Sequence, residues 1–126
     1  MELIGRKLFA LEGQSAFAEL SGDYNPMHTD SLVARRHMLG QVVVHGVHAL
    51  LSVLEQGFVF LKAYRVEISQ LPCRFQNPVF LDQLTETRMR STEPGRMTLE
   101  LRGPSDQLLI EAVVSWGESA GDSKVL

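Results

Sequence analysis

Gly46-Val47-His48-Ala49-Leu50-Leu51-Ser52-Val53-Leu54-Glu55-Gln56-Gly57-Phe58-Val59-Phe60-Leu61 reads as one long helix. Val47, Leu50, Leu51, Leu54, Phe58 and Leu61 recur at three- and four-residue spacing, which places them on one helical face. Ala49, Val53, Val59 and Phe60 widen that face, so the pattern predicts a helix buried around much of its circumference.

Beyond the helix the period changes to two. Tyr64-Arg65-Val66-Glu67-Ile68 alternates, and Arg74-Phe75-Gln76-Asn77-Pro78-Val79 ends in a proline-marked bend. Leu84 to Arg90, Met97 to Leu101 and Leu108 to Trp116 alternate again, separated by the turn signals Glu93-Pro94-Gly95 and Gly103-Pro104-Ser105-Asp106. Before the helix, Leu3 to Leu11 reads as a short strand or two. Ser15 to Leu20 reads as a short helix with Ser15 as N-cap, ended by Gly22 and Pro26. Asp30 is placed to cap a second short helix through Val33, Ala34 and Arg35, broken at Gly40. A small sheet must bury one face, and the apolar helix is what it can bury it against. The expectation is an α+β fold, a long central helix wrapped by an antiparallel sheet. One domain covers residues 1–117, with a polar tail at 118–126. Exposed sheet edges and a helix apolar beyond one face suggest a partner chain. Residue preference puts Cys73, Phe58 and Phe60 in the core and Trp116 in the core or an interface.

A chain of 126 residues with 44% hydrophobic and 21% charged residues suits one soluble domain. The net charge of -3 argues against a nucleic-acid binder. The single cysteine excludes an internal disulfide. The start, Met1 to Lys7, carries no apolar segment of the signal-peptide kind, and Val42 to Phe60 is too polar and short for a membrane span. The expected location is cytoplasmic.

The chemistry concentrates in Phe17-Ala18-Glu19-Leu20-Ser21-Gly22-Asp23-Tyr24-Asn25-Pro26-Met27-His28-Thr29-Asp30 and in Val44-His45-Gly46. Asp23 alone could simply cap a turn. Five residues apart across a proline turn, Asp23 and His28 can instead face one pocket, hold a water and move its proton. Asn25 would organise the turn through side-chain to backbone bonding. His45 could serve as a cap or bond a loop carbonyl. Gly46 opens the long helix, where N–H groups without partners carry partial positive charge and suit an oxygen that turns negative. His28, Asp30 and His45 with His37 or His48 could be assembled into a metal set, but no tight ligand spacing supports one, and no metal is expected.

Phe17-Ala-x-Leu-Ser-Gly-Asp-x-Asn-Pro-x-His-x-Asp30, with Val44-His45-Gly46 following, resembles the hydratase 2 motif of the MaoC-like (R)-specific enoyl-CoA hydratases. Arg74-Phe75-x-Asn77-Pro78-Val79-Phe80 is similar to a strand entry of the same group, so the likeness spans roughly residues 15 to 116. It implies a single hotdog domain, paired as a homodimer. It also implies Asp23 and His28 as a catalytic dyad, Asn25 and His45 as site-organising residues, and Gly46 as donor to the thioester oxygen. Tyr24, Val47 and Leu50 would line an acyl pocket. Arg74 and Arg36, within the basic Arg35-Arg36-His37, would reach phosphates of the carrier. The chain departs from the family pattern at Leu39, at Val42, in a short Gly5 to Ser15 segment, and in a lone Asp82 after Val79-Phe80-Leu81.

The activity so implied is syn addition of water to a trans-2-enoyl thioester, giving an (R)-3-hydroxyacyl thioester, or the reverse. No cofactor is called for, because coenzyme A or phosphopantetheine arrives with the substrate, on acyl-CoA or on acyl carrier protein. The alternatives are a 3-hydroxyacyl-carrier-protein dehydratase of fatty-acid or polyketide assembly, an acyl-thioesterase, and a non-catalytic acyl-binding hotdog subunit.

Overall fold

The computed structural model describes residues 1–25, 28, 30 and 43–118. Strand β1 spans Glu2–Leu8 and helix α1 Leu11–Ser21. The long helix α2 spans Gly46–Leu61. The strands β2 (Val66–Gln70), β3 (Cys73–Phe75), β4 (Leu84–Glu93), β5 (Arg96–Arg102) and β6 (Leu108–Glu118) follow. All pairings are antiparallel, in the order β1-β4-β5-β6-β2, with β3 also along β6. The short helix expected after Asp30 lies outside the described residues, as does the tail beyond Glu118.

The two-residue period sorts the sheet into two faces. Thr85, Thr87 and Met89 of β4, Met97, Leu99 and Leu101 of β5, and Leu109, Ile110, Ala112 and Val114 of β6 are buried. Thr85 is tolerated there because its hydroxyl donates to the Lys7 carbonyl at 2.7 Å. The opposite face carries charge in cross-strand rows. Arg88, Glu100, Glu111 and Arg74 stand in successive register, and Arg6 donates to Glu86 at 3.1 Å.

Helix α2 crosses the apolar face over β5, β1 and β4. Its bounds agree with the periodicity, but its buried stripe is rotated. Ala49, Leu50, Ser52, Val53, Leu54 and Gly57 are buried, whereas Val47, Leu51, Val59 and Phe60 are exposed. At Gly57 the helix lies close to the sheet. A Cβ on Gly57 would stand 2.9 Å from the Met97 thioether and 3.1 Å from Leu99. Phe58 and Trp116 pack against the core edge to face, with ring centroids 5.2 Å apart. Cys73, expected inside, is exposed on the short outer strand β3.

Helix α1 begins at Leu11 with Ala10 as N-cap, so Ser15 is interior. Glu12 in its first turn suits the positive helix end. Gly22 ends it as expected, in the left-handed conformation at φ 78°, its N–H donating to the Ala18 carbonyl at 2.9 Å.

Candidate active site

The end of α1 and the start of α2 deliver the chemistry to one place. After Gly22, the Asp23 carboxylate folds back, its Oδ1 accepting the Asn25 backbone N–H at 3.2 Å. The Asn25 carbonyl in turn accepts the His28 N–H at 2.9 Å. This is a tight Asx-type turn, which is what Gly-Asp-x-Asn-Pro favours.

His28 is fixed from behind. Its Nδ1 stands 2.6 Å from the Val43 carbonyl, an acceptor only, so Nδ1 carries a proton and donates. In the neutral ring the lone pair is therefore on Nε2. That nitrogen faces Asp23 Oδ2 at 3.9 Å. The gap is too long for a direct hydrogen bond, but a water about 2.8 Å from each atom would sit between them at an angle near a right angle. Asp23 is 49% exposed and the His28 side chain 13%. One partner is open to solvent and the other is held by the protein.

His45 stacks on His28 with ring centroids 4.1 Å apart and is 2% exposed. Its Nε2 donates to the Asp23 backbone carbonyl at 3.1 Å, tying the turn to the start of α2. Its Nδ1 is buried with no hydrogen-bond partner among the described residues. His48, one turn on, stacks on Phe17 at 4.9 Å and meets Phe9 edge to face at 5.4 Å. Burial holds the His48 imidazole below its ordinary range, and the charges at Lys7 and His45 push the same way.

Asp23, His28 and His45 could in principle ligate a metal, since one atom of each lies within 4.8 Å of the others. The fit is poor. Both His-to-Asp23 separations are 3.9 Å. Donors around a tetrahedral zinc with bonds of about 2.0–2.1 Å sit only about 3.3 Å apart. The His45 nitrogen concerned already donates to a carbonyl.

His28 and Gly46 line one pocket of about 290 Å³ with Val43, Val44, Phe75 and Asn77 among its walls. Gly46 is the first residue of α2, so its N–H has no acceptor within the helix. The Phe75 ring lies over it, 3.1 Å from where a Cβ would stand. Any side chain at 46 would crowd that approach.

Tyr24 is 62% exposed beside Asp23, and Val47 is 56% exposed beside Gly46. Leu50 is in the core cluster instead of on an open wall. Arg74 stands opposite Glu111 in the charged rows, and its neighbour Phe75 is the β3 residue that lines the pocket. Arg36 lies outside the described residues. Sequence reasoning missed Phe75 as a pocket wall, although strand alternation from Arg74 would have aimed it there. It also missed Gln14, which is fully buried behind His28.

The family described as "MaoC like domain" matches residues 12–102. No curated protein matches the chain significantly in sequence. In structure the chain is similar to solved proteins of the hotdog fold. The R-hydratase PhaJ1 from Pseudomonas aeruginosa is 19% identical, with TM-score 0.79, over 91% of this chain and 77% of that one. The (R)-hydratase from A. caviae involved in PHA biosynthesis is 26% identical, with TM-score 0.67, over 91% and 96%. The HadBC 3R-hydroxyacyl-ACP dehydratase complex from Mycobacterium tuberculosis is 13% identical, with TM-score 0.75, over 90% of each chain. No helix among the described residues is long and apolar enough to cross a membrane.

Proposed function

Because the chain belongs to the MaoC-like domain family, we propose that it is a hydro-lyase of the (R)-specific enoyl-CoA hydratase type. The observation that carries this is the facing of His28 Nε2 and the Asp23 carboxylate at 3.9 Å, in a site that His28 shares with the start of α2. The substrate is a trans-2-enoyl thioester whose carbonyl oxygen approaches the Gly46 N–H. The carbonyl draws electrons from C3, and the N–H stabilises the enolate-like charge that builds on oxygen. A water held between His28 and Asp23 adds its oxygen to C3 while losing a proton to the dyad. The dyad delivers a proton to C2 on the same face, and the C2–C3 π electrons form the new C–H bond. The product is a 3-hydroxyacyl thioester, of R configuration on this reading, and the reverse reaction is dehydration. Coenzyme A or phosphopantetheine comes with the substrate, and no metal or organic cofactor takes part.

The likeness to a 3R-hydroxyacyl-ACP dehydratase keeps a carrier-bound substrate as the second reading. The exposed apolar residues Val47, Leu51 and Val59 on α2 support a homodimer. Activity on acyl thioesters inside the cytoplasm fits both readings. The deciding assay follows loss of the enoyl-thioester absorbance over a series of enoyl-CoA chain lengths and over one enoyl-acyl carrier protein. Faster turnover of the carrier-bound form selects the second reading. Folded protein that hydrates neither class, or that releases free thiol instead, refutes both.

A further inference from the structure

Gln14 is a polar residue in the first turn of α1, and it is wholly buried. Every polar atom of its side chain is engaged. Its amide nitrogen donates to the His28 carbonyl and to the Val43 carbonyl, each at 3.0 Å. Its Oε1 accepts from His48 Nδ1 at 3.2 Å. Both acceptors of the amide are carbonyl oxygens, so the amide can stand only one way round. The Val43 carbonyl that receives Gln14 is also the one that receives His28 Nδ1.

From this geometry we infer that Gln14 is a positioning residue for the dyad. It clamps together the two backbone segments that define where the His28 ring sits. It holds the backbone of His28 directly, and it holds the carbonyl that fixes His28's tautomer. With Val43 in place, Nδ1 keeps the proton and Nε2 is presented to Asp23. Without Gln14 the Val43 carbonyl stays anchored, because the N–H of the same peptide donates to the Val79 carbonyl at 2.7 Å, but the His28 backbone loses its tie to it, and the ring can shift away from the acceptor that distinguishes its two nitrogens. His48 completes the clamp by holding Oε1, which keeps the NH2 side of Gln14 turned toward the carbonyls. Lying between Phe17 and Phe9, His48 is itself fixed by packing. Taking the amide away from the His28 carbonyl and the His48 N–H in a buried site also costs stability. A test must therefore separate position from stability.

The catalytic part of this inference rests on the proposed hydratase reading, while its structural part does not. Nitrogen-15 NMR of the histidine side chains reads the structural part without substrate, with His28 assigned by its loss in His28→Gln. In the unaltered protein His28 shows a protonated, exchange-protected Nδ1 and a lone-pair Nε2. In Gln14→Leu the protected Nδ1–H signal is lost and both nitrogens move toward averaged values. Val53→Ala, a core variant in α2, loses stability while keeping the His28 signal. His48→Phe, which retains a ring between Phe9 and Phe17, weakens the signal in part. If Gln14→Leu does not fold, Gln14→Asn is read the same way, because its amide is one methylene too short to reach both carbonyls.

In turnover, Gln14→Leu lowers kcat about tenfold to a hundredfold, as expected for a displaced catalytic group, with KM changed less than about twofold. An unchanged His28 signal in Gln14→Leu, or an equal loss of it in Val53→Ala, overturns the inference. If the unaltered protein turns over no enoyl thioester, the hydratase reading falls and the NMR result still decides the clamp.

Discussion

Replacing Gly46 with proline removes one N–H from the site and adds a ring beside Phe75. Gly46 opens α2, and the first turn of a helix is where proline is accepted, because its missing N–H has no partner there. The preceding residue, His45, has φ −53° and ψ 127°, the extended conformation that a residue before proline adopts. The added ring does meet Phe75, whose Cε1 lies 3.1 Å from the new Cβ position. Phe75 is 51% exposed and can give way. Gly46→Ala introduces the same Cβ and keeps the N–H, so the ratio of the two variants isolates the donor. Loss of one oxyanion donor costs about 10²–10³ in kcat, or about 2.7–4 kcal/mol. Gly46 is solvent-exposed in the single chain, so the lower end applies: Gly46→Pro turns over about 10²-fold slower than Gly46→Ala, with similar melting temperatures. The assay is enoyl-CoA hydration at saturating substrate. A proline variant within about threefold of the alanine variant would show that the helix start does not hold the thioester oxygen.

Four further outcomes are expected. Asp23→Asn keeps the bond from the Asn25 N–H and hence the turn, but loses the proton acceptor. Its kcat falls about 10²–10⁴-fold with circular dichroism unchanged, and near-normal turnover would remove Asp23 from the dyad. Gly57→Val forces branched carbon into the Met97 and Leu99 contact and costs about 1–3 kcal/mol in denaturant unfolding; no change in midpoint would mean the helix stands off the sheet. His48 has a folded pKa below the 6.5 of the free side chain, so the unfolded chain takes its proton first as pH falls. Its stabilisation is complete above pH 6.5 and is lost as pH falls toward the folded value, so the melting temperature of the unaltered protein drops more steeply in that window than that of His48→Phe. Parallel curves would contradict the assignment. Leu51→Glu charges the exposed strip of α2 without touching the core; on the proposed dimeric reading, light scattering reports a dimer for the unaltered protein and a monomer for the variant, and a monomer for both refutes that reading.

Much of this architecture is legible before any coordinates. The Gly46 to Leu61 helix and the alternating strands follow from spacing alone, because buried apolar residues must share a face. The sequence is less informative about which face is buried. Apolar residues lie nearly all round α2, and the close approach at Gly57 turns the stripe of Ala49, Leu50, Val53 and Leu54 toward the sheet. Val47 and Leu51 are left outside for the same reason. The start of α1 was hidden because Gln14 has the composition of a surface residue, and only the three-dimensional placement of two carbonyls and an imidazole makes its burial tolerable. Phe60 and Cys73 show the limit of residue preference: both are exposed, one at the end of the helix and one on an outer strand. In the site, Asp23, His28 and Gly46 carry recognisable chemistry at fixed spacing, while Phe75 depends on how β3 registers against β6.

The single chain leaves its chemistry half open. Asp23 is half exposed, and a carboxylate in water is screened and hydrogen-bonded by solvent, which blunts its pull on one chosen water. Helix-end N–H groups are worth most where water is excluded. The exposed apolar residues lie close to these groups: Tyr24 follows Asp23 in the chain, Val47 follows Gly46, and Leu51 is about one turn further along α2. On the dimeric reading proposed above, a second copy seated on Val47 and Leu51 would bury apolar surface and dry the approach to Gly46 in the same step. Burial at about 25 cal/mol per Å² would then drive assembly, and the lower local dielectric would strengthen the donor that the reaction needs. Assembly and catalysis would thus share one end of one helix, which gives a physical reason for apolar residues to stand exposed beside a polar site.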